Sequence, residues 1–173
     1  IAPIAWAPCS PHRWQEWTMA YRISGLAPGT FQPLFAFDDA RLAEHDIRRV
    51  VATDSHGYPC RVSLEDAEQG ETLLLLPYEH HAVAGPYRAS GPIYVRENAQ
   101  AAAVFEDSIP PSLGRRLLSV RAYDIDAWMH AAEVVEGQDL EACISDFFAL
   151  PRIEYLHIHN ARPGCYSCRV DRC

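Results

Sequence analysis

Tyr155-Leu156-His157-Ile158-His159-Asn160-Ala161-Arg162-Pro163-Gly164-Cys165-Tyr166-Ser167-Cys168-Arg169-Val170 reads as a β-hairpin, two strand-type runs around a loop of turn residues. Residues 160–164 as the loop pair His159 with Cys165 and His157 with Ser167. Directly paired residues share a face and neighbours along a strand alternate. One face then carries Tyr155, His157, His159, Cys165, Ser167 and Arg169. The other carries Leu156, Ile158, Tyr166, Cys168 and Val170, a core face. Cys165 and Cys168 point opposite ways, so His157, His159, Cys165 and Cys168 make a poor four-ligand zinc set, and no metal is expected. A Cys-x-x-Cys redox pair is weakened too, since it needs a helix N-terminus. A one-residue slip would invert these faces.

Working back from the hairpin, residues 138–150 form the best helix. Leu140, Ile144, Phe147 and Phe148 fall on one stripe with Cys143, and Pro151 stops it. Residues 117–123 and 129–135 read as strands, as do 93–96, 47–53 and 60–64. Residues 72–78 are an aliphatic run suited to a strand buried on both faces. Asp38-Asp39 caps a short helix over 40–45. Strands outnumber helices and short turns join them. The expectation is an α+β single domain, a mainly antiparallel sheet with one amphipathic helix (138–150) and a C-terminal β-hairpin.

Residues 1–18 look foreign to this pattern, with three Trp and three Pro and no period, and Met19 opens a clean strand signal. They are expected to be a non-core N-terminal extension, with residues 19–173 as the domain. At 173 residues one sizeable core is feasible. All fifteen basic residues are Arg and the net charge is −8. An acidic chain with no basic stripe argues against nucleic acid and anionic membrane surfaces. The aliphatic run at 73–76 is too short to span a bilayer, and no signal peptide is evident. A cytoplasmic protein with reduced thiols is therefore expected, six cysteines notwithstanding.

Two further stretches bear chemistry. Gly57-Tyr58-Pro59-Cys60-Arg61 delivers Cys60 toward the core and Arg61 outward or toward a neighbour, where its fork suits a carboxylate or phosphate. Tyr78-Glu79-His80-His81, followed by Gly85-Pro86-Tyr87-Arg88 and Gly91-Pro92, ends a central strand in a loop of the kind that carries sites. Its metal-site spacing is weak. No phosphate loop, nucleophile elbow or His-Glu-x-x-His helix occurs.

Pro59-Cys60-Arg61, Pro86-Tyr87 with Gly91-Pro92-Ile93, Arg121-Ala122-Tyr123-Asp124, His157-Ile158-His159-Asn160 and Gly164-Cys165-Tyr166 resemble the bacterial domain-of-unknown-function family 1203. The resemblance runs from about Tyr21 to Arg172. It implies a single soluble bacterial domain and no activity.

Two functional expectations follow. The first is a small-molecule site for an anionic ligand where the hairpin meets the Tyr87 loop. Cys165, His157 and His159 are its catalytic candidates, and Arg61, Tyr87, Arg169 and Asn160 its ligand-binding candidates, without a cofactor. The alternative is a noncatalytic binding or interaction protein in which these side chains fix loops or line a solvated sheet face.

Overall fold

A computed structural model describes residues 20–173, so the expectation for residues 1–18 lies outside the described residues. Six strands form the main sheet in the order β5-β1-β9-β8-β6-β7, every neighbouring pair antiparallel. They are β1 (Tyr21–Ser24), β5 (Val104–Glu106), β6 (Leu117–Tyr123), β7 (Met129–Glu136), β8 (Tyr155–Asn160) and β9 (Tyr166–Arg172). A second sheet of β2 (Arg48–Val51), β3 (Thr72–His81) and β4 (Ala89–Arg96) has the order β2-β3-β4, again antiparallel. The α+β single-domain expectation holds, with its strands divided between two sheets.

Sequence period explains which face each layer buries. In the main sheet Val120, Leu156, Ile158, Cys168 and Val170 point one way, as strand alternation requires. The helix α3 (Leu140–Phe148) covers them, burying Leu140, Cys143, Ile144 and Phe148. A single 3-10 turn at Gly137–Asp139 precedes this helix, so the expected 138–150 element starts as a tighter coil. In the second sheet Leu74, Leu76, Ile93 and Val95 pack under Phe31 and under Leu42 of α1 (Asp39–Ala43). The Asp38 carboxylate accepts from the Arg41 N–H at 2.8 Å and caps α1, as the sequence indicates. Leu73 packs on the opposite side of β3 with Ala52 and Ala67, so that strand is buried on both faces. Among the described residues no helix is long and apolar enough to cross a membrane.

Residues 60–64 do not form the expected strand. Cys60 makes one isolated bridge to Tyr94, then the chain turns, with Leu64 N–H bonded to Cys60 O at 3.1 Å and Leu64 at φ +53°. This turn is held from both sides. Arg61 N–H donates to Tyr94 O at 3.0 Å, and Arg61 O accepts from Leu26 N–H at 2.7 Å. Short α2 (Pro111–Gly114) abuts it through the Ser112 hydroxyl, which donates to Leu64 O at 2.5 Å.

Gly25 permits the crossing of the chain over this turn. A Cβ there would stand 2.1 Å from Val62 O, a backbone atom that cannot step aside. Gly25→Ala is therefore expected to cost about 1–3 kcal/mol of overpacking. In thermal melts it should lower Tm by several degrees, at roughly 2–4 °C per kcal/mol for a chain of this size. Gly29→Ala, where a Cβ meets nothing within 4 Å, should melt like the parent.

Candidate functional site

The hairpin register differs from the expected one. Tyr155 pairs with Asp171, Leu156 with Val170, His157 with Arg169 and Ile158 with Cys168, but His159 pairs with Tyr166. Ser167 is thus an extra residue, a β-bulge that turns β9 over beyond it. The bulge corrects two face assignments. Tyr166 leaves the core face and joins the histidines, while Cys165 drops off the strand into the loop, where Gly164 adopts φ +77°. Cys168 stays in the core as expected; burial pushes its thiol up to about 12.

Across the main sheet this register produces rungs of side chains on one face. Tyr123, Tyr155 and Asp171 form one, Arg121, His157 and Arg169 the next, and Ser119, His159 and Tyr166 the third. This face is not solvated. Every residue of β8 is buried, Leu156 and Ile158 in the core with α3, and Tyr155, His157 and His159 beneath His80 and His81 at the end of β3. The His80 ring stacks on Tyr166 with centroids 5.0 Å apart and stands 5.1 Å from His159 and 6.2 Å from His157. His81 lies 4.8 Å from His157 and 4.5 Å from Tyr123.

Hydrogen bonds fix two of these rings. The Tyr87 carbonyl can only accept, so His81 Nδ1 donates to it at 2.8 Å, and His81 Nε2 is hydrogen-bonded to the Tyr155 hydroxyl at 2.7 Å. His159 Nδ1 likewise donates to Gly164 O at 3.0 Å. His159 Nε2, His157 Nδ1 and His80 Nδ1 are buried without a hydrogen-bond partner. Burial drives the His157 imidazole down to about 2, helped by His81, His159 and Arg169. It drives His159 down to about 4, with Arg121, His80 and Arg61 acting in the same direction and the Gly164 carbonyl against it. His80 is lowered by the same cause. All three rings are neutral near pH 7. Among the described residues no three His, Cys, Asp or Glu side chains are placed to share a metal ion.

Two cavities flank the bulge. One, of about 540 Å³, is an arginine-lined cleft reached by Arg61, Arg115, Arg116, Arg162, Asn160 and Cys165. The other, of about 360 Å³, is lined by Tyr78, His80, His157, Tyr166, Arg169 and Asp171. The sequence candidates are therefore divided. Arg61, Asn160 and Cys165 share the first cavity, and His157 and Arg169 share the second. His159 lies among the histidines and lines neither. Tyr87 also lines neither, its ring packing edge-on against Trp128 at 5.7 Å and Tyr123 at 6.1 Å.

In the cleft, Arg61 is only 1% exposed. Its Nε donates to Tyr166 O at 2.8 Å and its Nη1 to Pro59 O, while its guanidinium lies against the Cys165 thiol. Burial lowers its pKa, and the Cys165 and Cys60 thiols oppose that. Among the described residues it forms no ion pair, and neither does Arg162. Arg116 and Arg115 share one carboxylate, that of Asp66. Sequence pattern does not single out Arg115 or Arg116, and it offers Arg121 only within the family motif and not as a site residue. It places His80 and His81 at a strand end and gives no sign that they meet the hairpin histidines. Only the fold joins residues so distant, although His-His at the end of an aliphatic strand was a usable signal.

The buried histidines make an acid-stability prediction. They stay neutral in the fold while their unfolded counterparts protonate near pH 6.5, so the unfolded state binds more protons below that pH. Above pH 6.5 they contribute no pH dependence. Stability should fall as pH drops from about 6.5 to about 4 for His159, and continue falling below that for His157. For His159 alone the loss by pH 4 is roughly 3 kcal/mol. Urea unfolding at a series of pH values reads it. His159→Gln should flatten the slope over this window whatever it does to stability at neutral pH.

A family model described as "Protein of unknown function (DUF1203)" matches residues 57–172. The matched span runs from the turn before Arg61 to the end of β9 and starts later than the Tyr21 suggested by the sequence resemblance; Ser24, Gly25, Leu26 and Ala27 of the second cavity and His56 of the first lie before it. No curated protein and no solved structure matches the chain. The chain belongs to the DUF1203 family of proteins of unknown function.

Proposed function

We propose that the chain binds a small oxyanion, a carboxylate or phosphate group on a small molecule, in the cleft of Arg61, Arg115, Arg116 and Arg162. The observation that carries this reading is the buried Arg61 guanidinium, which has no carboxylate partner among the described residues. A buried charge is costly unless paired. Its carbonyl partners satisfy hydrogen bonds and leave the positive charge uncompensated. Four guanidinium groups stand against two carboxylates, Asp66 and Glu136, so the cleft is electropositive in an acidic protein. Arginine forks suit bidentate oxyanion contacts. The Asn160 side chain and the Cys165 thiol complete the wall, the thiol as a polar contact beside the bound group.

Competition between anion and alkylating reagent tests this. Cys165 is half-buried in the cleft and Cys173 is exposed elsewhere, while Cys60, Cys143 and Cys168 are buried. Inorganic phosphate or malonate should slow iodoacetamide labelling of Cys165 and leave Cys173 unchanged, as read by peptide mass spectrometry. Arg162→Ala should weaken that protection roughly tenfold, the order of one charge-assisted hydrogen bond. Equal labelling of Cys165 with and without both anions would remove the reading.

A further inference from the structure

The second cavity has the marks of a ligand site of its own. His157 is 2% exposed and lines it, yet its Nδ1 has no hydrogen-bond partner, and His80 Nδ1 from the facing sheet is also buried without one. Buried polar atoms in native proteins are normally satisfied, so two orphaned nitrogens beside one cavity mark the place of a missing partner.

The charges around them identify its chemistry. From β6, Arg121 pairs directly with His157 across the sheet, and from β9, Arg169 does so on the other side. Arg121 has no ion pair among the described residues. The acidic group at this cavity is Asp171 of β9, already held by Arg169 Nε at 2.7 Å. β3 contributes Tyr78, His80 and His81, β8 contributes Tyr155 and His159, and the remaining neighbours are Tyr123 and Tyr166. The phenols and the neutral His80, His157 and His159 rings leave the balance positive. That repels a metal cation and attracts an anion. An anion placed there would in turn favour a proton on a neighbouring imidazole, so the two bind together. His80 is the better acceptor of that proton because it is half-buried, whereas His157 lies under the sheet.

We propose that this cavity takes a small organic carboxylate together with one proton. The proton settles on His80, whose Nδ1–H donates to one carboxylate oxygen. His157, neutral with its proton on Nδ1, donates to the other, and the tyrosines wall the organic body.

Calorimetric titration of the full chain with benzoate, repeated in buffers of different ionisation enthalpy, tests both halves. Affinity should rise as pH falls, by up to tenfold per unit from about pH 7.5 to about pH 5.5, with close to one proton taken up per benzoate at the upper end. His80→Gln should abolish the proton uptake and weaken binding near pH 5.5 about tenfold. Its circular dichroism and melting should stay close to the parent, because this ring lies at the cavity edge. Arg162→Ala, which weakens anion binding in the arginine cleft, should leave the proton-coupled part of benzoate binding unaltered, so the two sites fail or stand separately. Four outcomes would each overturn the proposal: no benzoate heat at any pH, binding without proton uptake, binding lost in R162A, or one zinc ion per chain in protein purified without chelator.

Discussion

A buried guanidinium joins the two sheets of this fold. Arg61 reaches β9 through Tyr166 O and its own turn through Pro59 O, while its backbone is bonded to Tyr94 of β4 and to Leu26. Four segments therefore meet at one residue. No aliphatic residue could replace it, because the carbonyls it satisfies would be left buried and unpaired, at about 1–3 kcal/mol each. The charge itself remains, and a group satisfied in hydrogen bonds but not in charge has a use for an anion. Structural necessity and ligand binding thus converge on the same residue.

The second constraint is that the main sheet is buried on both faces. One face packs against α3 in the ordinary way, with aliphatic residues on alternate positions. The other is aromatic and basic, yet the second sheet covers it. That burial costs the protein its imidazole charges and leaves hydrogen-bonding atoms idle. A fold optimised only for stability would fill such a face with aliphatics, since replacing buried polar groups by well-packed apolar ones is often stabilising. A half-satisfied histidine–tyrosine layer at this interface is a cost to stability that a bound ligand would offset.

The sequence made the architecture legible where a single period dominated. The α3 stripe, the aliphatic β3, the Asp38 cap and the core face of β8 all follow from local pattern. It failed where tertiary contacts overrode the pattern. Residues 60–64 alternate like a strand but turn, because Arg61 is pulled inward to carbonyls more than thirty residues away in the chain. The Ser167 bulge left no local trace, and it moved Tyr166 from the core face to the histidine face. The candidate site was legible as residue types and not as a place. Arg61, His157, Cys165 and Arg169 were identifiable, but a bulge and a second sheet decide that they line two cavities.

Net charge was a misleading guide to those cavities. The chain carries 23 acidic residues against 15 arginines, and that balance argues against polyanionic partners over the outer surface. A ligand in a cavity experiences instead the few charges within a Debye length and behind little water. Many acids lie outward, as in the exposed Arg22–Glu106 and Arg88–Glu79 pairs, while Arg61 is wholly buried and Arg116, Arg121 and Arg169 are partly so. A few of the arginines are thus held inward while others remain at the surface. Tyr166 lies at the boundary of the two electropositive spaces this creates. Its carbonyl holds the arginine of one and its ring stacks on a histidine of the other, so the bulge that repositions this residue also separates the two chemistries.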